Sequence, residues 1–399
     1  MTRIDGLINR EFLCECGRAH FVPIQEIRSW DGPIPPVAFD GIFPETIGRS
    51  ALMLCDAHTK ECANDGVAKT LRDGGWKLKV REFVRDRLVN DEAAVGAAVL
   101  DADSGVDVII AVGGGTVTDL GRFVASRVGK PFALVMTCPS MDGYASNIAA
   151  VSIDGRRRIF KDCRYPEAIF CETRVMRGAP PDLIRSGFGD MLGKRASLPD
   201  WVMSRHFTGE RFCKRVAALM DESSMRCING LDGINSRAAA EIGTLTEALL
   251  LAGLSMAMLN DTRPVSGSEH MFSHFMVESA MDAGLNVSHG ATVAFGTLIS
   301  TLLYEYLLDG LEPADLAPIS GELRKYLLPS RRVADLLVAS GIGAGVQRHL
   351  YGGDIAGMIR ACSSPGKRYT VLRYLADSGH LDRSIRYALN ALEEIGEGA

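Results

Sequence analysis

Residues 106–112 read Val-Asp-Val-Ile-Ile-Ala-Val and run straight into Gly113-Gly114-Gly115-Thr116-Val117-Thr118-Asp119. A run this rich in β-branched residues reads as a strand buried on both faces. Helical apolar spacing resumes over about 117–127, so a strand, a glycine turn and a helix follow one another directly. The first N–H groups of a helix lack intrahelical partners and carry the positive end of its dipole, so such a turn can face a phosphate. Three residues without a Cβ let a pyrophosphate approach the backbone, and Thr116 and Thr118 can add hydroxyl donors. The spacing departs from the dinucleotide fingerprint because Thr118 stands where its last glycine belongs. It is not a P-loop either, since no Gly-Lys-Ser/Thr follows. A tight turn without a ligand is the plainer reading of the same residues.

The surrounding chain repeats the theme. Residues 51–55 form an apolar strand ending at Asp56, 92–102 have helical spacing, and 131–137 form another buried strand. This alternation predicts a parallel sheet covered by helices on both faces, a Rossmann-like α/β domain. Asp154-Gly155 between 148–153 and 156–160 is a hairpin signal. Beyond Pro180-Pro181 no convincing strand is found. Helical spacing recurs over 182–194, 211–220, 238–259, 268–280, 292–307 and 334–340, which predicts an all-helical C-terminal domain. The expected domains are residues 1–180, binding a dinucleotide, and 181–399, binding metal and substrate, with the boundary at Gly178-Ala179-Pro180-Pro181.

Composition excludes some partners. Lys and Arg number 44 against 49 Asp and Glu, a formal net charge of −5. No basic stripe is present, so nucleic acid is not an expected partner. The longest apolar stretch, 248–259, is well short of the roughly 20 residues that cross a bilayer, so no membrane span is expected. The N-terminus has no apolar signal region, and the ten cysteines are scattered without a CxxC pair. Together these predict reduced thiols and a cytoplasmic location.

Four further groups of residues can carry chemistry. A carboxylate at the end of an early strand, here Asp56, can bond an adenosine ribose, or simply cap the turn before Thr59. Thr137-Cys138-Pro139-Ser140-Met141-Asp142-Gly143-Tyr144-Ala145-Ser146 follows a buried strand, and ligands of parallel sheets sit beyond strand carboxyl ends. If the topology holds, this loop and the Gly113 turn end neighbouring strands. His270 and His274 lie four apart on one predicted helix, His289 starts the next, and Asp190 is expected to open a helix earlier in the chain. One carboxylate and two imidazoles leave a divalent metal an open position, as catalysis needs. Satisfied core or surface histidines are the plainer alternative, and His270-x-x-x-His274 lacks the Glu of a zinc protease. Cys14-x-Cys16-Gly17-x-x-His20 offers three soft ligands. A closed zinc site needs four and no second cluster is visible, so no metal is expected there.

Taken in order, Gly113-Gly114-Gly115-x-x-x-Asp119, Thr137-x-Pro139-Ser140-Met141-Asp142-Gly143-Tyr144-Ala145-Ser146, Gly187-Phe188-Gly189-Asp190, Arg263-Pro264-x-Ser266-Gly267-Ser268-Glu269-His270-x-x-Ser273-His274 and His289-Gly290 resemble the glycerol-1-phosphate dehydrogenase family. Its bacterial branch is the nearest match, down to the Cys14–His20 start and Leu192-Gly193-Lys194. The family stands with the dehydroquinate synthases and iron-containing alcohol dehydrogenases. The resemblance implies an N-terminal Rossmann-like domain, a C-terminal helical domain and a cleft between them. It implies NAD(H)- or NADP(H)-linked reduction of dihydroxyacetone phosphate to sn-glycerol 1-phosphate, with one zinc or nickel ion polarising the carbonyl. It also implies a homo-oligomer, a dimer.

Carried over by position, the cofactor contacts are Asp56, Gly113, Gly114, Gly115, Thr116, Val117, Thr118, Asp119, Thr137, Cys138, Pro139, Ser140 and Ser146. The metal ligands are Asp190, His270 and His289, and the substrate contacts Asp142, Asp190 and His274. Lys161, Lys194 and Arg263 are candidates, from position alone, for the substrate phosphate. Cys138 stands where the family usually has Ala, Gly114 where the bacterial branch often has Ser, and Arg195 where Tyr is expected. A carbocycle-forming synthase using NAD catalytically, a reductase of another small aldehyde or ketone, and a non-catalytic nucleotide binder are the competing readings.

Overall fold

The computed structural model describes residues 3–44, 46–285, 287–342, 354–364 and 368–397. Its backbone divides into two compact units, one of residues 1–12, 19–184 and 237–258, the other of 13–18, 185–236 and 259–399.

In the first unit the apolar runs pair as a six-stranded sheet. After the short strands β1 (Phe12–Leu13) and β2 (Ala19–His20), its strands are β3 (Glu26–Trp30), β4 (Ser50–Asp56), β5 (Lys77–Phe83), β6 (Val108–Gly113), β7 (Phe132–Met136) and β10 (Ala168–Glu172). Their spatial order is β3-β10-β7-β6-β4-β5, and every pair is parallel. Alternate residues explain why these strands are apolar throughout. Met53, Cys55, Ile110, Val112, Val135 and Phe170 enter one core with Phe39, Leu71 and Trp76. The intervening Leu52, Leu54, Ile109 and Ala111 are equally buried, as a sheet covered on both faces requires. Helix α1 (Asp65–Asp73) joins β4 to β5, and α2 (Glu92–Asp101) joins β5 to β6. Helix α3 (Gly115–Val128) follows β6, and α4 (Thr173–Gly178) follows β10. Helix α3 starts at Gly115 rather than near Val117, so the glycine turn is shorter than the sequence predicts and Gly114 is its N-cap.

The chain steps from β4 to β5 on one side of β4, then returns to place β6 on the other. The carboxyl ends of β4 and β6 therefore flank the point where strand order reverses, where ligands of open α/β sheets bind. The predicted hairpin forms as β8 (Ala149–Ile153) and β9 (Arg156–Phe160), with Asp154 and Gly155 at φ 52° and 71°. Helix α9 (Ala239–Leu259) lies mostly in this unit, so residues beyond the Pro180-Pro181 boundary also contribute to it. At Gly253 an added Cβ would lie 2.8 Å from the Ala145 nitrogen.

The second unit is helical. It contains most of α5 (Pro181–Leu192), with α6 (Lys194–Thr208), α7 (Lys214–Asn229), α8 (Leu231–Asn235), α10 (Ser268–Asp282) and α11 (His289–Glu305), and no strand forms beyond β10 among the described residues. The segments Ala239–Leu259 and His289–Leu311 are long and apolar enough to cross a membrane, but 83% and 89% of their apolar windows are buried inside the protein. The first is longer than the 248–259 run because Ala239 to Glu247 extend the same helix.

Candidate active site

Asp190 sits in the last turn of α5, not at the opening of a helix. Gly187 and Gly189 do not end α5, because the crossing with α11 requires one of them. A Cβ on Gly189 would fall 2.1 Å from the Gly290 carbonyl oxygen, and a Cβ on Gly290 would fall 1.7 Å from that of Ser186. The two backbones touch, and Asp190 and His289 flank the contact. His270 comes from the first turn of α10, which packs along α11.

Ligand atoms of Asp190, His270 and His289 lie within 4.8 Å of one another, and His289 Nε2 is 3.7 Å from Asp190 Oδ1. The ring nitrogens can be assigned by counting protons. His270 Nδ1 is 2.7 Å from Glu269 Oε1. A carboxylate only accepts, so Nδ1 donates and Nε2 keeps its lone pair. Around His289, Thr292 donates to the His289 carbonyl at 2.7 Å, and Ser273 Oγ is 2.7 Å from Thr292 Oγ1. Ser273 therefore donates to Thr292 and accepts from His289 Nδ1 at 3.3 Å. Both imidazoles turn Nε2 into the cluster.

One carboxylate and two imidazoles suit a divalent first-row metal, and outer-nitrogen partners are the usual support for metal-binding histidines. The residues thus fit such an ion. His274 is one turn beyond His270, and its ring is 6.2 Å from that of His270 and 6.4 Å from that of His289. It borders the cluster and is exposed.

Glu269, Ser273 and Asp200 belong to this construction, though the sequence assigned them no role. Buried Glu269 also accepts from Gly267 N at 2.9 Å. Asp200 accepts from Ser268 N, Val371 N and the Tyr304 hydroxyl at 2.6, 2.8 and 2.7 Å. Burial, then the nearby Glu269 charge, pushes the Asp200 carboxyl above the ordinary range. The adjacency Glu269-His270 was the one available signal.

Two of the phosphate candidates are engaged elsewhere. The Lys194 ammonium donates to the Val265 carbonyl at 3.1 Å. Arg263 holds Glu210 at 2.8 Å and the Tyr369 carbonyl at 2.7 Å. Lys161 is exposed after β9. Arg195 pairs with Asp221 at 2.8 Å, which accounts for a cation at that buried position.

In the α/β unit, Gly113 is paired with Met136 and Val112 with Cys55. The Gly113 turn and the loop from Thr137 thus end neighbouring strands, as predicted, with Asp56 ending the strand on the other side. Asp56 Oδ1 accepts from His58 N and Thr59 N at 2.9 and 3.2 Å, so it caps the following turn. Thr116 is exposed, whereas buried Val117 packs inward and the Thr118 hydroxyl donates to the Gly114 carbonyl at 2.9 Å.

Asp119 pairs with Arg122 at 3.0 Å and accepts from Ala150 N at 3.1 Å. Burial raises its carboxyl above the usual range against the pull of Arg122. Fully buried Arg122 in turn donates to the carbonyls of Gly143, Tyr144 and Ile148 at 3.0, 2.7 and 2.7 Å. This pair clamps the loop holding Asp142 and Ser146 onto α3. Within that loop the Tyr144 hydroxyl donates to the Cys138 carbonyl and meets Ser140 Oγ, both at 2.8 Å. Ser146 Oγ donates to the Gly143 carbonyl at 2.9 Å. Thr137, Ser140 and Asp142 are buried, as are Cys138 and Pro139. Burial pushes the Cys138 thiol upward.

Residues 40–180 match the family model described as iron-containing alcohol dehydrogenase. The glycerol-1-phosphate dehydrogenase [NAD(P)+] of Halalkalibacterium halodurans is 33% identical over 301 residues, 73% of this chain and 74% of that one. The Bacillus licheniformis enzyme of the same name is 31% identical over 299 residues, 74% of each chain. Among solved structures, a probable glycerol dehydrogenase from Sinorhizobium meliloti superposes with a TM-score of 0.67 at 18% identity, covering 92% of this chain and 98% of that one. Such identity speaks for the fold alone: a Rossmann-like parallel-sheet unit with a helical one. Sequence identity over most of both chains decides the family, and this chain belongs to the glycerol-1-phosphate dehydrogenases of the iron-containing alcohol dehydrogenase group.

Proposed function

We propose that this protein reduces dihydroxyacetone phosphate to sn-glycerol 1-phosphate with NADH or NADPH. The observation that carries the reading is the Asp190–His270–His289 cluster, with both imidazoles turning Nε2 inward. The names of the relatives support the substrate. When bound, a dinucleotide supplies the hydride and a zinc or nickel ion held by Asp190, His270 and His289 supplies Lewis acidity at the carbonyl.

The chain's own residues do the rest. Backbone N–H groups from Gly114 to Val117, at the start of α3, receive the pyrophosphate, and Thr118, whose N–H and hydroxyl both donate to the Gly114 carbonyl, holds that turn. Gly113, Gly115 and Val117 shape that turn, and Asp119 secures the neighbouring loop. Asp56 accepts from a ribose hydroxyl. Thr137, Cys138, Pro139, Ser140 and Ser146 form the wall that orients the nicotinamide. Asp142 holds the terminal hydroxyl of the substrate. Asp190 contacts the substrate as well as holding the ion, and an N–H of the His274 ring bonds a substrate hydroxyl or passes on its proton.

The test compares dihydroxyacetone phosphate, dihydroxyacetone and simple aldehydes, following nicotinamide absorbance, with metal content measured on the same samples. We expect net oxidation of the nicotinamide with the phosphorylated ketone, and joint loss of turnover and of the ion held by Asp190, His270 and His289 in Asp190→Ala and His270→Ala. Full turnover with an undiminished metal content in either variant removes the proposed site. Cofactor binding without net oxidation on any of these compounds removes the proposed reaction.

A further inference from the structure

The N-terminal hairpin is a second place where metal-binding side chains gather. Strands β1 (Phe12–Leu13) and β2 (Ala19–His20) pair, and Cys14, Cys16 and His20 all lie on this one short element. Its turn is closed by Cys14 N donating to the Arg18 carbonyl at 2.8 Å and Gly17 N donating to the Cys14 carbonyl at 2.9 Å. Gly17 has φ +80°, a conformation that favours glycine. The turn folds Cys16 back beside Cys14. Cys213, immediately before α7, meets the same thiols, and its sulfur is 3.7 Å from that of Cys14. Ligand atoms of Cys14, Cys16, His20 and Cys213 all lie within 4.8 Å of one another.

We propose that Cys14, Cys16, His20 and Cys213 hold a structural zinc ion, distinct from any ion at Asp190, His270 and His289. The fourth ligand is not visible in the local spacing, since it lies 199 residues from Cys14. Four donors close a tetrahedral site. Sulfurs about 2.3 Å from a common zinc ion stand about 3.8 Å apart, close to the separation of Cys14 and Cys213. His20 is fully buried, and its Nδ1 lies 2.8 Å from the Met258 carbonyl. A carbonyl only accepts, so Nδ1 carries the proton and Nε2 keeps the lone pair a metal needs. Three sulfurs and one nitrogen are the soft donor set of structural zinc, whereas one oxygen and two nitrogens serve the other cluster. Each sulfur ligates as thiolate, so binding releases the thiol protons. The resulting unit of one Zn²⁺ and three thiolates carries a single negative charge, placed at the N-terminal end of α7 where the helix dipole favours it.

The full-length protein, expressed in zinc medium and purified without chelator, tests this by metal analysis, cobalt substitution and intact mass. We expect Asp190→Ala to retain one zinc per chain and Cys16→Ser to lose that equivalent. The cobalt-loaded Asp190→Ala protein should show sulfur-to-cobalt charge transfer, and Cys16→Ser should lack it. Should the serine variant fail to fold, the unmodified protein decides by itself. Stripping zinc should expose three further thiols to an aromatic disulfide reagent for each ion released from this site. Zinc-free protein with no thiolate–cobalt band overturns the proposal. So does a Cys14–Cys213 disulfide, seen as a loss of two hydrogens in the mass. Neither outcome touches the dehydrogenase reading, because Asp190→Ala already lacks that site.

Discussion

His20, His270 and His289 are held by one device. Each presents Nδ1–H to an oxygen of the protein, namely a main-chain carbonyl, a carboxylate and a serine hydroxyl in turn. Each is thereby fixed in one tautomer, with Nε2 as the lone-pair nitrogen. A second residue-scale relation explains two departures from the family pattern. A Cβ on Gly114 would stand 2.9 Å from Cys138 Sγ. The larger side chain at 138 and the missing one at 114 therefore exchange volume across one contact. Gly114→Ser alone should destabilise by about 1–3 kcal/mol through overpacking. Gly114→Ser with Cys138→Ala should recover most of that loss, a coupling that denaturant titration of the four-member cycle would measure. Strictly additive effects would show that the two positions do not share the space.

Elements differed in how readily the sequence disclosed them. Strand β6 was legible because both its faces are buried, which leaves an unbroken apolar run. The β8–β9 hairpin was legible because Asp154-Gly155 adopts the positive φ values its turn demands. Strand β5, Lys77–Phe83, shows no apolar run because it lies at the sheet edge with only Phe83 fully buried, so charged residues fill it. Helix α6 was hidden by Pro199 inside it, where a breaker is read as a boundary. The α5–α11 crossing is the element-scale feature with the sharpest consequence. Gly290→Ala places a methyl 1.7 Å from the Ser186 carbonyl oxygen, so the helices must separate. We expect a loss of about 3 kcal/mol in stability, together with weaker metal binding, since Asp190 and His289 flank the contact. Calorimetry and metal titration of this variant check both. Undiminished metal affinity would mean that the crossing does not set the ligand spacing.

Across the whole molecule, what the sequence made legible was chemistry carried by neighbours in the chain. The glycine turn, the Thr137 loop and the pair His270/His274 were all visible as local motifs. Support from a distance was not: the Arg122 clamp on Gly143, Tyr144 and Ile148, and the arrival of Cys213 beside the hairpin, depend on folding.

The buried acids give the molecule a pH signature. Asp200 is raised by burial and by Glu269, so the folded state holds its proton above the ordinary value of about 3.9. Its contribution to stability is complete below that value and is lost as pH rises through the folded-state pKa. Relative to the parent, Asp200→Asn should gain stability as pH rises from about 4, measured as the difference in Tm at matched pH. A difference that moves the other way would mean that the three donors around Asp200 favour its anion.

Because Gly189 and Gly290 bring two main chains into direct contact, the donors on α5 and α11 rest on scaffold rather than on interchangeable side-chain packing. Under the proposed function, exposed positions around His274 on α10 are the ones to vary for new substrates. The crossing itself is the fixed anchor against which any such library would have to be built.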